Sequence, residues 1–196
     1  SSIRSRWPLC PPINYLQKEA MDRQYVILVV NPGATSTKVS VYDDLRERVS
    51  RTIRHSADEL KPYASVADQF GFRRDLVLEA LREEGVEFAS LSAVIGRGGL
   101  VKPIESGVYE VNDALRRDLG HAPQGEHASN LGGLIAADIA SRIPGARAFI
   151  ADPVVVDELD DVARVAGHPL FRRVSIFHAL NQKATGRRYA RENGRA

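Results

Sequence analysis

At 196 residues, with 43% apolar and 27% charged residues, the chain has the composition of a soluble globular protein and can bury a sizeable core in one domain or two small ones. A formal net charge of +2 gives no ground for nucleic acid or an anionic membrane as partner, and no apolar run approaches the roughly 18 residues that span a bilayer. The single cysteine, Cys10, excludes an internal disulfide and makes a reducing cytoplasm the default compartment.

Residues 1–20 combine Pro8, Pro11 and Pro12 with Arg4, Arg6 and Trp7 and fit neither a strand nor a helix pattern. They read as an unstructured leader or an upstream extension, with an organelle transit peptide as a further reading. The folded part is expected to start at Met21 and to run to residue 196.

Tyr25 to Val30 is an apolar, β-branched run, the pattern of a strand buried on both faces. Asn31-Pro32-Gly33 makes a turn, and Val39 and Val41 around Ser40 predict a half-buried second strand. The tip between them holds Thr35, Ser36, Thr37 and Lys38, which suits either a phosphate cradle or the polar turn of an ordinary hairpin. Asp43-Asp44 turns the chain into a third, more exposed strand over residues 48–56.

Ser65 to Asp68 has capping-box spacing with Asp in place of Glu. Val66, Phe70, Val77 and Leu81 then predict a helix that stops at Gly85, with Gly71 as a kink site. Leu91 to Ile95 predicts a parallel strand ending in Gly96-Arg97-Gly98-Gly99, and residues 100–111 read as an extended, broken segment. Asn112 caps a short helix through Leu119, and after a polar loop Leu131, Leu134, Ile135 and Ile139 mark another. Residues 148–151 give a fifth strand ending at Asp152-Pro153, followed by helices over 159–165 and 179–190. The order predicts an α/β domain with a mixed sheet of about five strands and flanking helices. Arg187, Arg188, Arg191 and Arg195 read as a solvated helix face and tail.

The polar residues that stand out follow strands: Asn31 to Lys38 the first, Arg97 the fourth, Asp152 the fifth. Ligands of open α/β sheets collect outside the carboxyl ends of parallel strands, so these groups are expected in one crevice. Arg97 among glycines suits an oxyanion grip, or a surface turn; Asp152 suits chemistry, or the capping of a helix. His127 and His178 each stand beside small or amide residues, and either suits a structural or a functional role. Metal-ligand spacing, a Walker A loop and a nucleophile elbow are all absent from the sequence.

The first hairpin resembles the phosphate-1 loop of the superfamily of acetate and sugar kinases, heat-shock chaperone ATPases and actin. Asn31 to Lys38, Gly96 to Ile104, Gly125 to Gly133, Asp152 to Leu159 and Ser175 to Lys183 together resemble the butyrate kinase family, in the family's order. The resemblance implies a ribonuclease H-like (actin-like ATPase) domain and a reaction of ATP with butyrate giving ADP and butyryl phosphate, with ATP and Mg2+ as cofactors. It implies that Asn31 helps hold Mg2+ and the phosphate region and that Ser36, Thr37 and Lys38 face the nucleotide. It implies that Arg97, with Gly98 and His127, meets the substrate carboxylate, Asp152 is the catalytic acidic residue, and His178 stabilises the phosphoryl group in flight. His127 aligns more loosely, with a transition-state contact of acetate kinases.

Two departures stand beside this. Ala34 occupies a position where the family usually has Ser. The family's second, C-terminal domain, with its Gly-rich adenosine loop, second catalytic arginine and metal-binding glutamate, has no counterpart in these residues. The chain is therefore expected to supply the acceptor pocket and part of the phosphate site, to be inactive alone, and to belong to a cytoplasmic homo-oligomer when complete. A stand-alone binding module and a kinase for acetate or branched acids remain as alternatives.

Overall fold

The computed structural model describes residues 24–195; the leader, Cys10 and Met21 lie outside the described residues. The strands are β1 (Val26–Pro32), β2 (Ser36–Asp43), β3 (Arg46–Arg54), β4 (Leu91–Arg97), β5 (Val108–Glu110) and β6 (Arg147–Ala151). The helices are α1 (Ala57–Leu60), α2 (Phe70–Glu83), α3 (Asp113–His121), α4 (Asn130–Ser141) and α5 (Ala179–Glu192).

All six strands join one mixed sheet in the order β3-β2-β1-β4-β6-β5. β1, β2 and β3 form an antiparallel meander, whereas β1, β4 and β6 run parallel, as crossover connections require. The sheet thus has one strand more than expected. Val108–Glu110, read as merely extended, pairs antiparallel with the end of β6, where Glu110 and Arg147 form an ion pair of 2.6 Å.

Leu28 and Val30 of β1, Val39 and Val41 of β2 and Val94 of β4 meet Val77 and Leu81 of α2 and Leu131, Ile135 and Ile139 of α4 in the main core. Packing is closest where α4 crosses β4: a Cβ on Gly96 would fall 2.1 Å from the Gly132 carbonyl carbon. Two glycines therefore let the amino end of α4 rest on the carboxyl end of β4.

Local signals act as read at several helix starts. Ser65 and Asp68 bond reciprocally, N to Oδ2 at 2.9 Å and Oγ from N at 3.2 Å. A 3-10 turn (Ala67–Gln69) follows, and α2 begins at Phe70, so the break precedes Gly71. Asn112 accepts the Leu115 N–H at 2.9 Å, and α3 runs two residues beyond the expected Leu119. The short α1, capped reciprocally by Ser56 and Glu59, was not foreseen.

The helix expected over 159–165 does not form; only a 3-10 turn (Asp161–Arg164) is present. Asp157 accepts from the Leu159 N–H at 3.2 Å and from the Arg164 guanidinium at 2.8 and 2.9 Å, a local arrangement that competes with helical bonding. Val165 then bridges Arg172, which leaves Val162, Val165, Leu170, Phe171, Val174 and Ile176 exposed. Among the described residues no helix is long and apolar enough to cross a membrane.

Candidate active site

The parallel strands deliver the first three residues to one edge of the sheet. Val30 of β1 pairs with Gly96 of β4, and Arg97 of β4 pairs with Ala151 of β6. Asn31, Arg97 and Asp152 therefore all stand at carboxyl ends of neighbouring strands, where an open α/β sheet collects its ligands. The Gly98 N–H donates to the Ala151 carbonyl at 2.7 Å, and a Cβ on Gly98 would come within 2.8 Å of Pro153. Only glycine lets the chain after Arg97 lie so close to the Asp152–Pro153 turn.

Asp152 has φ 55, a left-handed backbone that Asp tolerates better than most residues. Its side chain is 12% exposed; Oδ2 lies 3.1 Å from His178 Nδ1 and 3.8 Å from the Arg97 guanidinium. Oδ1 accepts the Asn181 N–H, in the first turn of α5, at 3.2 Å. One oxygen of this carboxylate thus bonds the start of α5, and the other faces His178 and Arg97. His178 Nδ1 also lies 3.2 Å from the Asp152 carbonyl. Two acceptors around Nδ1 place a proton there and leave Nε2 as the ring nitrogen without a hydrogen bond among the described residues. Arg97 and His178 side chains are 34% and 35% exposed, so each keeps an edge for a ligand.

His127 lies in the loop that enters α4. Its Nδ1 accepts the Ser129 N–H at 3.2 Å and lies 2.8 Å from Ser129 Oγ, which makes Nε2 the protonated nitrogen. Asn130 ties this loop to the one after Arg97: Oδ1 accepts the Leu100 N–H at 2.7 Å, while Nδ2 donates to the Gly125 carbonyl at 3.0 Å. The loops of His127 and Arg97 are fixed together, although among the described residues no hydrogen bond or ion pair joins His127 itself to the Asp152 cluster.

In the first hairpin Asn31 pairs with Lys38 across the strands, and Pro32 pairs with Thr37. Alternation along β2 puts Ser36 and Lys38 on one face and Thr37 on the other. Lys38 is exposed, and neither it nor Asn31 has a side-chain hydrogen bond among the described residues. Thr37, expected to face the nucleotide, points into the protein instead. It is wholly buried, its hydroxyl lying 2.9 Å from His55 Nε2 and 3.2 Å from the Arg73 guanidinium.

Beneath the hairpin tip lies a polar cluster that the sequence reading missed. Arg73 of α2, only 1% exposed, donates to the carbonyls of Gly33 (2.7 Å) and Ala34 (3.1 Å) and to Gln69 Oε1 (2.9 and 3.0 Å). Burial pulls its guanidinium below the ordinary arginine value. Burial first, and then the Arg73 charge, likewise hold the His55 imidazole below its usual value. The signal for Arg73 was present: it falls on the apolar stripe of Phe70, Val77 and Leu81, where a solvated Arg has no place.

Among the described residues no group of three or more His, Cys, Asp or Glu could hold a metal ion. An Mg2+ that arrives with a nucleotide needs only one or two protein oxygens, because phosphates and water supply the rest. The partnerless Asn31 amide fits that lesser demand.

No family model matches the chain. Butyrate kinase 1 of Clostridium acetobutylicum is 55% identical to it over 171 residues, 87% of this chain and 48% of that protein. A probable butyrate kinase of Bacteroides thetaiotaomicron is 56% identical over 168 residues, 86% of this chain and 47% of that one. Among solved structures, the acetate kinase of Porphyromonas gingivalis matches 88% of this chain and 50% of its own at a TM-score of 0.58 and 14% identity. A propionate kinase of Francisella tularensis matches 87% of this chain and 50% of its own at 0.52 and 14%. At that identity the structures bear on the fold alone, which is the actin-like ATPase fold of those kinases. The chain spans about half the length of the curated relatives it matches. Over that half, the chain is a homologue of butyrate kinases.

Proposed function

We propose that this chain carries the acceptor pocket and part of the phosphate site of an enzyme that phosphorylates butyrate with ATP, giving butyryl phosphate and ADP. The observation that carries the reading is the cluster of Arg97, Asp152 and His178 at the carboxyl edge of the sheet, in a chain 55% identical to butyrate kinase 1 over 171 residues.

The residue types suit the reaction. A carboxylic acid is already ionised at neutral pH, so its oxygen attacks phosphorus without a strong base. The obstacle is the approach of two anions, which calls for positive groups set in place beforehand. Arg97 takes the acceptor carboxylate through its planar fork. His178, held by Asp152 and the helix start, turns Nε2 toward the transferring phosphoryl group. Asp152 orients Arg97 and His178 rather than removing a proton. His127, donating from Nε2, adds a contact to the acceptor or to the phosphoryl oxygens. Ser36, Lys38 and the Asn31 amide face the nucleotide phosphates; Asn31 would help hold Mg2+, which would supply charge neutralisation there. Thr37 serves from below, as part of the support of the tip.

The test is hydroxylamine trapping of acyl phosphate, with the chain alone and joined to the remaining length of a butyrate kinase. ATP- and butyrate-dependent hydroxamate from the joined protein is the expected result. A soluble, folded protein that forms none overturns the proposal. Offering acetate, propionate and isobutyrate alongside sets the preference, which a pocket differing by one methylene separates by only about 1–3 kcal/mol.

A further inference from the structure

We propose that Arg73 is the positioning residue of the phosphate hairpin: its buried guanidinium pulls the carbonyls of the tip inward and so turns the N–H groups of Ala34 and Thr35 outward as anion donors. The inference rests on the reading of this hairpin as the nucleotide-phosphate site.

The charge of Arg73 is what needs explaining. It is 1% exposed, and no carboxylate lies within ion-pair distance of it among the described residues. Its acceptors are all neutral: the carbonyls of Gly33, Ala34 and Ser36 (2.7, 3.1 and 3.4 Å), Thr37 Oγ1 (3.2 Å) and Gln69 Oε1. Burying a cation without a counter-charge is costly, and a turn can be tied by a neutral amide instead. A bound polyanion directly above the tip would be the missing counter-charge.

The peptide geometry says how the charge is used. In a planar trans peptide the C=O of one residue and the N–H of the next point in opposite directions. Arg73 holds the Gly33 and Ala34 carbonyls beneath the tip, and the His55 N–H holds the Thr35 carbonyl at 2.9 Å. The Ala34 and Thr35 N–H groups therefore face away from the protein; both residues are exposed, and neither N–H makes a hydrogen bond among the described residues. Successive outward N–H groups form an anion-binding concavity.

The test compares wild type with Arg73→Lys and Arg73→Met. Amide hydrogen exchange of the 33–37 segment in the chain alone reads the clamp, pyrophosphate titration reads the anion site, and KM for ATP and for butyrate in the joined protein reads its use. Expected are at least tenfold faster exchange of the tip, at least tenfold weaker pyrophosphate binding and higher KM for ATP in Arg73→Met, with KM for butyrate within twofold. Arg73→Lys, which keeps the charge without the fork, should fall between. A lower melting temperature with tip exchange, pyrophosphate affinity and KM for ATP all unchanged overturns the proposal and leaves Arg73 as packing only. If the wild type forms no acyl phosphate, the kinase reading has failed, whereas exchange and pyrophosphate binding still decide the role of Arg73. If Arg73→Met does not fold, Arg73→Lys decides it by the same three readouts.

Discussion

Replacing Asp152 separates its two jobs, because each oxygen has its own partner. Asp152→Asn keeps a carbonyl oxygen for the Asn181 N–H and keeps a side chain that tolerates φ 55. It removes the charge that sits 3.8 Å from the Arg97 guanidinium and 3.1 Å from His178 Nδ1. Unit charges about 4 Å apart at a protein surface attract by roughly 4 kcal/mol, and the 34% exposure of Arg97 discounts that figure substantially. The pair is therefore worth more as orientation than as stability. By analogy with losing one preorganised transition-state group, acyl phosphate formation should fall on the order of 10²–10³. Asp152→Ala loses the same charge, plus a helix-capping acceptor at about 1 kcal/mol. It also forces alanine into a left-handed backbone at about 1 kcal/mol more. A total of about 2 kcal/mol corresponds to roughly 4–8 °C in melting temperature for a domain of this size. The assay is hydroxamate formation by the joined protein, beside thermal melts of both variants. An Asn variant within threefold of wild-type rate would refute the orienting role, and equal melting temperatures for Asn and Ala would refute the division of labour between the two oxygens.

Gly96→Ala should destabilise by about 1–3 kcal/mol or more, because the new methyl meets the Gly132 backbone at 2.1 Å and not a movable side chain; Gly71→Ala, with nothing within 4 Å, is the control and should be neutral or better in the same melts. The lowered pKa of His55 makes stability pH-dependent in a fixed sense. The folded state keeps the imidazole neutral, while the unfolded chain protonates it below about 6.5, so its contribution is complete above that value and lost as pH falls through the folded value. Urea midpoints at pH 7.5 and 5.5 should therefore differ more in wild type than in His55→Gln; equal differences would contradict the burial of a neutral His55. Glu158 is pulled from 4.5 to about 2, chiefly by Lys183 and then by Ser106. This latch between the segment before β5 and α5 should hold above about pH 4.5 and weaken toward pH 2, an acid-induced loss that Glu158→Gln reduces in circular dichroism titrations.

The parts of the fold visible in the sequence are those set by neighbours along the chain. The apolar run 26–30, the capping box at Ser65 and Asp68 and the cap at Asn112 each act through residues within a few positions. What escaped detection depends on distant partners. Val108–Glu110 becomes a strand because β6 offers it an edge, and nothing in three residues of alternating burial announces that. The 159–165 segment fails as a helix because Asp157, just outside it, captures both the Leu159 N–H and Arg164.

The same distinction governs the site. Arg97 and Asp152 could be singled out because topology alone brings strand ends together, whatever the side chains do. The burial of Thr37 could not be read because three consecutive hydroxyl residues look alike in sequence, while the pleat sends every second one inward. Its neighbour Lys38 faces out for the same reason. Once Thr37 points down, a donor must meet it there, and the residue that does so lies 36 positions away, on a helix whose stripe is otherwise apolar. A charged residue on the buried face of an amphipathic helix is then a signal in its own right. Beside a hairpin whose tip carries N–H groups unpaired among the described residues, it points to an anion on the other side of the tip.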